Sequence, residues 1–378
     1  MKALPEFKLE SHFSRWEFKA RHHMTASDAE SLSLRDLLAM ATPTDREAFE
    51  NLWLGYTETF GAPDLRAQIA QMYAANEPDQ VLCFAGASEG IFAANKILLD
   101  SDSHAIAITP NYQSHESLPL AICATTGVPL DADDGWSLDI DRIAAAIRPN
   151  TKLVTINFPH NPTGAMLPRE RLDALIELCR KHGIYILSDE IFNGLGRSDV
   201  EYMPYIADLY ERGLSLNVTS KAYGLPGLRI GWIACADTGL LARMERVKHY
   251  LSICNSAPSE RLALIALKNR QQILARNCQI IDANLVQLDA FFGRYPQLFE
   301  WRVSDGSCMA FPRYLGADGV EVFTRRLVEE AGVLLLPSSI YVSDLGPTPS
   351  DRFRIGFGRK GIGQGLAAMD AWLSSELC

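Results

Sequence analysis

The chain has no run near the ~20 consecutive apolar residues that a membrane-spanning helix needs. It also has no Cys-x-x-Cys pair, no repeat and no low-complexity tract. It is short of positive charge, with 36 Lys and Arg against 46 Asp and Glu and a formal net charge of −10. The first absence argues against a membrane protein. The charge deficit argues against nucleic acid or an anionic membrane surface as a partner. Eight cysteines stand singly at positions 83, 123, 179, 235, 254, 278, 308 and 378. A zinc site or disulfide framework would show paired spacings, so reduced, mostly buried thiols and no bound metal are expected. The opening residues Met-Lys-Ala-Leu-Pro-Glu-Phe-Lys carry charge where a secretory leader needs an apolar stretch. The expectation is a soluble, cytoplasmic chain.

What is present is the composition of a globular protein with a sizeable core: 378 residues, 47% hydrophobic and 22% charged. β-rich runs at 80–86, 105–110, 152–159, 184–190, 214–220 and 229–236 alternate with helix-like stretches, among them 88–99, 138–147 and 168–182. Runs such as Lys-Leu-Val-Thr-Ile-Asn-Phe are apolar at consecutive positions, as in strands buried on both faces of a parallel sheet. The pattern predicts an α/β domain with a mainly parallel central sheet flanked by helices. After about residue 259 it changes to a long helical stretch, 260–292, and short strand candidates around 301, 309–313, 333–337 and 353–357. We therefore expect a large domain over 46–259. A smaller α+β domain would combine the N-terminal arm, 1–45, with 260–378.

Ligands of open α/β sheets sit beyond the carboxyl ends of the strands. In this chain those ends carry Gly86-Ala87-Ser88-Glu89-Gly90, Asn161-Pro162-Thr163-Gly164, Ser188-Asp189-Glu190 and Thr219-Ser220-Lys221, with Arg229 following. A lysine after a buried strand is ordinarily a charge returning to solvent. It can also form a Schiff base with a carbonyl when its surroundings lower its pKa. Arg229, Ser220 and the N-terminus of a helix opening at Ser88 together suit a phosphate. A phosphate beside a Schiff-base lysine points to pyridoxal 5′-phosphate. Asp189, by itself a plausible helix cap, would then keep the pyridine nitrogen protonated. Asn161, in what could be a plain turn, would donate to the ring's phenolic oxygen. Tyr112, alone best read as core packing, would stack on the ring.

The order and spacing of these groups carry a resemblance. The segments Tyr56-Thr-Glu-Thr-Phe-Gly61 with Leu65-Arg66, Gly86-Ala-Ser-Glu-Gly90, Pro110-Asn-Tyr112, Asn161-Pro-Thr-Gly164, Ser188-Asp-Glu190, Ser220-Lys-Ala-Tyr-Gly-Leu-Pro-Gly-Leu-Arg229 and Phe353-Arg-Ile-Gly356 resemble those of the class I/II aminotransferases, the fold-type I enzymes that use pyridoxal phosphate. The resemblance implies Lys221 as the Schiff-base lysine and proton shuttle, and Asp189 as the pyridinium partner. It implies Asn161 as the phenolate partner, Tyr112 as the stacking ring, and Ala87, Ser88, Ser220 and Arg229 as the phosphate cup. Arg354 would hold the substrate α-carboxylate, a bidentate task for which Lys is a poor substitute. Tyr56 would reach the phosphate of a neighbouring subunit, so a homodimer with shared active sites is implied. The activity implied is amino transfer between an amino acid and a 2-oxo acid. Arg359 is expected to be a solvated surface charge.

Two departures from the family pattern stand out. Phe192 occupies a position where the family usually has a tyrosine that donates to the phenolic oxygen. Where many members carry a Gly-rich N-terminal segment that closes over substrate, this chain has Met24-Thr-Ala-Ser-Asp-Ala-Glu-Ser31, which says nothing about enclosure. The stretches 157–165, 220–229 and 354–357 are similar to those of the capreomycidine synthases. That branch uses the same scaffold to eliminate from and cyclise a hydroxylated arginine, which is the alternative chemistry. Other classes fit less well. Gly86-Ala87-Ser88-Glu89-Gly90 matches the nucleophile turn of serine hydrolases, but no histidine follows His249. Gly361-Ile-Gly363-Gln-Gly365 has the wrong spacing for a dinucleotide loop. A transcriptional regulator would need a DNA-binding module, for which ~45 preceding residues are too few, and His22-His23 reads as part of the N-terminal arm.

Overall fold

The computed structural model describes residues 2–376. Seven strands form the large sheet: β1 (Val81–Phe84), β2 (His104–Thr109), β3 (Ala124–Pro129), β4 (Thr151–Asn157), β5 (Tyr185–Asp189), β6 (Gly213–Val218) and β7 (Gly231–Ala234). Their order is β1-β7-β6-β5-β4-β2-β3. Only β7 is antiparallel to its neighbours, β1 and β6.

Side-chain alternation explains why these strands look continuously apolar. Ala105, Leu153, Leu187, Leu214 and Leu216 face one core cluster. Ile106, Ile108, Val154, Ile156 and Ile186 face the other. Successive residues of a strand point to opposite faces, and helices cover both, so nearly every position is buried. Helix Ala87–Leu98 packs against β6 and β7 and against helix Thr238–Lys248. Helix Arg169–His182 contributes Leu172, Leu175 and Ile176 to the second cluster.

All six expected strands of the large sheet are present, and β3 is a seventh that the pattern missed. Its sequence, Ala-Thr-Thr-Gly-Val-Pro, lies at the sheet edge with only Val128 buried, so it has no two-sided apolar run. The expected helical stretch 260–292 is two helices, Ala257–Lys268 and Arg270–Phe292. They break at Asn269 (φ −107°, ψ 20°), whose side-chain amide donates to Ile265 O at 2.8 Å.

The remaining chain builds a smaller α+β part. Met309–Ala310, Phe353–Gly356 and Leu336–Pro337 form an antiparallel three-stranded sheet. His22–His23 pairs in parallel with Val333–Leu334, which ties the N-terminal arm to this region. The arm then runs across the strand Phe353–Gly356: Gly356 N donates to Met24 O at 2.9 Å and Glu30 N to Gly358 O at 2.8 Å. The approach demands glycine, since a Cβ at Gly356 would lie 1.8 Å from Ala26 O. Seven cysteines are free, six of them buried and Cys254 half-buried; Cys378 lies outside the described residues. No described helix is long and apolar enough to cross a membrane.

Candidate active site

The carboxyl ends of β4, β5 and β6 open into a cavity of about 370 Å³, within the range of small-molecule sites. Lys221, Asp189, Asn161, Tyr112, Ala87, Ser88, Ser220 and Arg229 all line it, although 142 positions separate the first of them from the last. Arg354 lies directly behind Asn161 and is fully buried. Tyr56 does not reach this cavity: it is 84% exposed, on a segment that packs against Asn255 and Ser256.

Asp189 is buried at the end of β5, and His115 Nε2 donates to its Oδ2 at 2.8 Å. Its Oδ1 accepts from the Ile191 backbone N–H at 3.3 Å. Burying a carboxylate is costly unless it is paired and hydrogen-bonded; His115 supplies that partner. Asn161 Oδ1 accepts from Arg354 Nη1 at 3.0 Å and from Tyr341 OH at 3.3 Å. The guanidinium is a donor that only the carbonyl oxygen can satisfy, so Arg354 fixes the amide orientation and leaves Nδ2 free to donate elsewhere. The Asn161 backbone is positioned by Asn157 Oδ1, which accepts its N–H at 2.9 Å.

Arg354 also donates from Nη2 to Thr25 O at 2.7 Å. Lys221 Nζ donates to Ser27 Oγ at 3.0 Å. Two residues of the N-terminal arm therefore hold the two basic groups. The Lys221 pKa is lowered below the ordinary lysine value by burial. The nearby Asp28 carboxylate opposes that shift and the Arg354 charge adds to it. Arg359 Nη2 donates to both oxygens of buried Asp28 at 2.8 Å. It is thus an ion-pair partner of the arm and not the solvated charge expected.

At the opposite end of the cavity Arg229 adopts a left-handed conformation (φ 53°), and its Nη1 donates to Ser220 Oγ at 3.4 Å. Helix Ala87–Leu98 begins there on Gly86, whose φ of 100° suits glycine. A Cβ at Gly86 would lie 2.3 Å from Arg229 Nη2. A guanidinium, a hydroxyl and unpaired helix N–H groups converge on one point, as an anionic group requires. The donor set fits pyridoxal phosphate: an anion cup, a buried carboxylate, an asparagine amide and a lysine of lowered pKa line one cavity. Phe192 is buried in the wall and brings no hydroxyl. Bound there, the cofactor would have its phosphate held by Ser88, Ser220 and Arg229, and its ring nitrogen by Asp189.

Three contributors escaped the sequence patterns: His115, Ser27 and the helix Lys8–Trp16, whose Leu9, Glu10 and Phe13 form one wall of the cavity. The N-terminal arm therefore lines one side of the cavity. A signal for His115 existed in Pro110-Asn-Tyr-Gln-Ser-His115, just past the end of β2.

Comparison with known proteins agrees with the geometry. The family described as aminotransferase class I and II matches residues 35–360. The chain is 29% identical to capreomycidine synthase of Streptomyces vinaceus over 99% of this chain and 95% of that protein. It is 27% identical to an arginine–pyruvate transaminase of Pseudomonas aeruginosa, over 83% of this chain and 81% of that one. The structure superposes on a PLP-dependent aminotransferase from Streptococcus suis with a TM-score of 0.90 and 29% identity, covering 98% of each chain. The chain belongs to the class I and II aminotransferases, fold-type I enzymes that use pyridoxal 5′-phosphate to move an amino group between an amino acid and a 2-oxo acid.

Proposed function

We propose that Lys221 is the residue that carries the cofactor and the base that moves the substrate Cα proton, with Arg354 holding the substrate α-carboxylate. The observation that carries this reading is the convergence of Lys221, the Asp189–His115 pair, Asn161 Nδ2 and the Ser220–Arg229 cup on one cavity. Bound there, pyridoxal phosphate supplies a carbonyl carbon for a Schiff base and a protonated ring that withdraws electrons from the substrate Cα. Asp189, buried and hydrogen-bonded to His115, would hold the ring nitrogen. Asn161 Nδ2 would donate to the phenolic oxygen, while its Oδ1 accepts from Arg354. Lys221, with its pKa lowered by burial, is closer to the neutral amine that a nucleophile or base requires. Ser27 gives its amine a hydroxyl partner.

The reading includes a homodimer in which Tyr56 of the partner subunit completes the phosphate cup. Trp53, Leu54 and Tyr56 are about four-fifths exposed, and Tyr250, Leu251 and Ile253 are exposed next in sequence to Cys254, which lines a shallow groove together with Leu54 and Tyr56. An apolar surface of this kind supports an interface. The reading also includes the division into 46–259 and 1–45 with 260–378, supported by the pairing of His22–His23 with Val333–Leu334. A cytoplasmic location is supported by the free thiols.

Borohydride reduction of the holoenzyme, followed by peptide mapping, tests the central assignment. The label is expected on Lys221, and Lys221→Ala is expected to lose both label and turnover. A label elsewhere, or retained turnover, overturns it. A second reading, elimination and cyclisation, is favoured by the likeness to capreomycidine synthase along nearly the whole chain and by Phe192. Accumulation of the aminated cofactor with an amino acid alone supports amino transfer. Ammonia or a cyclised product without it supports the second reading.

A further inference from the structure

The helix Lys8–Trp16 is fixed on both sides of the cavity. Its Lys8 backbone N–H donates to Gln113 Oε1 at 2.9 Å, and Gln113 Nε2 donates back to Glu6 O at 2.7 Å. The Lys8 side chain donates to Val342 O at 2.8 Å, and Phe7 packs 5.0 Å from the Tyr112 ring. Positions 9, 10 and 13 share one face of a helix, so the docked helix turns Leu9, Glu10 and Phe13 towards the cavity.

Each charged group of the cavity has a hydrogen-bond partner, and that of Glu10 is, among the described residues, a single hydroxyl. Arg229 faces the phosphate cup, and Lys221 meets Ser27. Asp189 is committed to His115 and the Ile191 N–H. Glu10 has one hydrogen-bond partner among the described residues, the Tyr112 hydroxyl, which donates to its Oε1 at 3.2 Å. No lysine, arginine or histidine among the described residues lies within ion-pair distance of it. A carboxylate has about four acceptor sites; Glu10 lines the cavity but is itself exposed, so most of its sites stand open at the cavity mouth. Its charge is felt by both Tyr112 and Lys221. Leu9 and Phe13, beside it, offer apolar surface.

We propose that Glu10 is a specificity-determining residue whose carboxylate receives the cationic end of the substrate side chain, so that the substrate is a basic amino acid with its charge on an aliphatic stem. The proposal rests on the reading of this cavity as an amino-acid site. With the α-carboxylate at Arg354, the stem would lie along Leu9 and Phe13 and the charge would meet Glu10. An acidic side chain would be repelled there. A neutral one would gain nothing from the carboxylate, whereas an opposite charge would be attracted to it, most strongly at low ionic strength because Glu10 is exposed.

The test compares arginine with citrulline, which differ by one charge at nearly equal shape. Their 2-methyl derivatives have no Cα proton, so calorimetry on the holoenzyme reads binding without turnover. 2-Methylarginine is expected to bind about two- to fivefold more tightly than 2-methylcitrulline. The ratio should fall to about one in Glu10→Gln and below one in Glu10→Lys. It should persist in Tyr112→Phe, which separates a substrate role from simple support of the Tyr112 ring. A ratio near one in the wild type, or one that survives Glu10→Gln, overturns the proposal. Conversion of the cofactor by the parent amino acids is followed in parallel. A cationic preference without amination leaves Glu10's role standing and removes the transfer reading. Amination by alanine with no cationic preference does the reverse.

Discussion

Arg354 Nη1 donates to Asn161 Oδ1 at 3.0 Å, so the group proposed to grip the substrate is bonded to the group proposed to face the cofactor ring. A change at one must be felt at the other. Arg354→Lys offers a single ammonium in place of a planar fork that already serves Thr25 O and Asn161. The KM for the amino acid is expected to rise about tenfold or more, and the cofactor's absorption maximum to shift as the Asn161 amide loses its restraint. Steady-state kinetics and a spectrum of the substrate-free holoenzyme check both. An unchanged spectrum would show that the two sites are independent.

His115 touches neither substrate nor the proposed cofactor position directly, and acts by holding Asp189. His115→Phe removes the bond to Oδ2 and leaves a buried carboxylate short of a partner. Loss of a hydrogen bond to a charged group costs about 1.5–3 kcal/mol. Cofactor affinity is expected to drop by roughly 10- to 100-fold, read by fluorescence titration of the apoenzyme with pyridoxal phosphate. A positioning role also predicts a shifted pH profile of kcat, which simple loosening of the fold would not produce.

Gly86→Ala tests the anion cup from below. The added Cβ meets Arg229 Nη2 at 2.3 Å, and the guanidinium is the movable partner, so it should be pushed away from Ser220. A positive φ adds a backbone cost of about 1 kcal/mol or more. Affinity for pyridoxal phosphate should fall about tenfold, with a smaller loss for pyridoxal, which has no phosphate. Equal losses for both would place the effect elsewhere.

Glu190, next to Asp189, gives a pH signature of stability. Burial pushes its carboxyl up to about 8, and Ile206 N donates to Oε1 while Oε2 has no described partner. Above the ordinary glutamate range the unfolded chain releases this proton while the folded chain keeps it. Fewer protons are bound in the unfolded state, so stability falls as pH rises from about 4.5 towards 8. The contribution to the slope is at most about 1.4 kcal/mol per pH unit. Thermal melts across this range should show a flatter profile for Glu190→Gln, and equal slopes would contradict the assignment.

Much of the site could be read from the sequence because its chemistry sits at strand ends, where short motifs mark the turn from buried strand to loop. Lys221, Asp189, Asn161 and Arg229 are of this kind. His115, Ser27 and Glu10 are not. Their partners lie 74, 194 and 102 residues away, and no local pattern encodes such a meeting. Arg359 was misjudged for the same reason, since Asp28 stands 331 residues from it. Strand β3 was missed because an edge strand with one buried side chain lacks the apolar run that betrays its neighbours. The break at Asn269 lies between two helices of similar composition, and a single capping amide decides it.

The bond from Lys8 to Val342 spans 334 residues. At ribosomal speeds of about 5–20 residues per second, residue 8 emerges roughly 20 to 70 s before its partner is made. Throughout that interval the wall bearing Leu9, Glu10 and Phe13 has nowhere to dock on that side, so a nascent chain can already hold its large sheet while its cleft still stands open to solvent or to a chaperone.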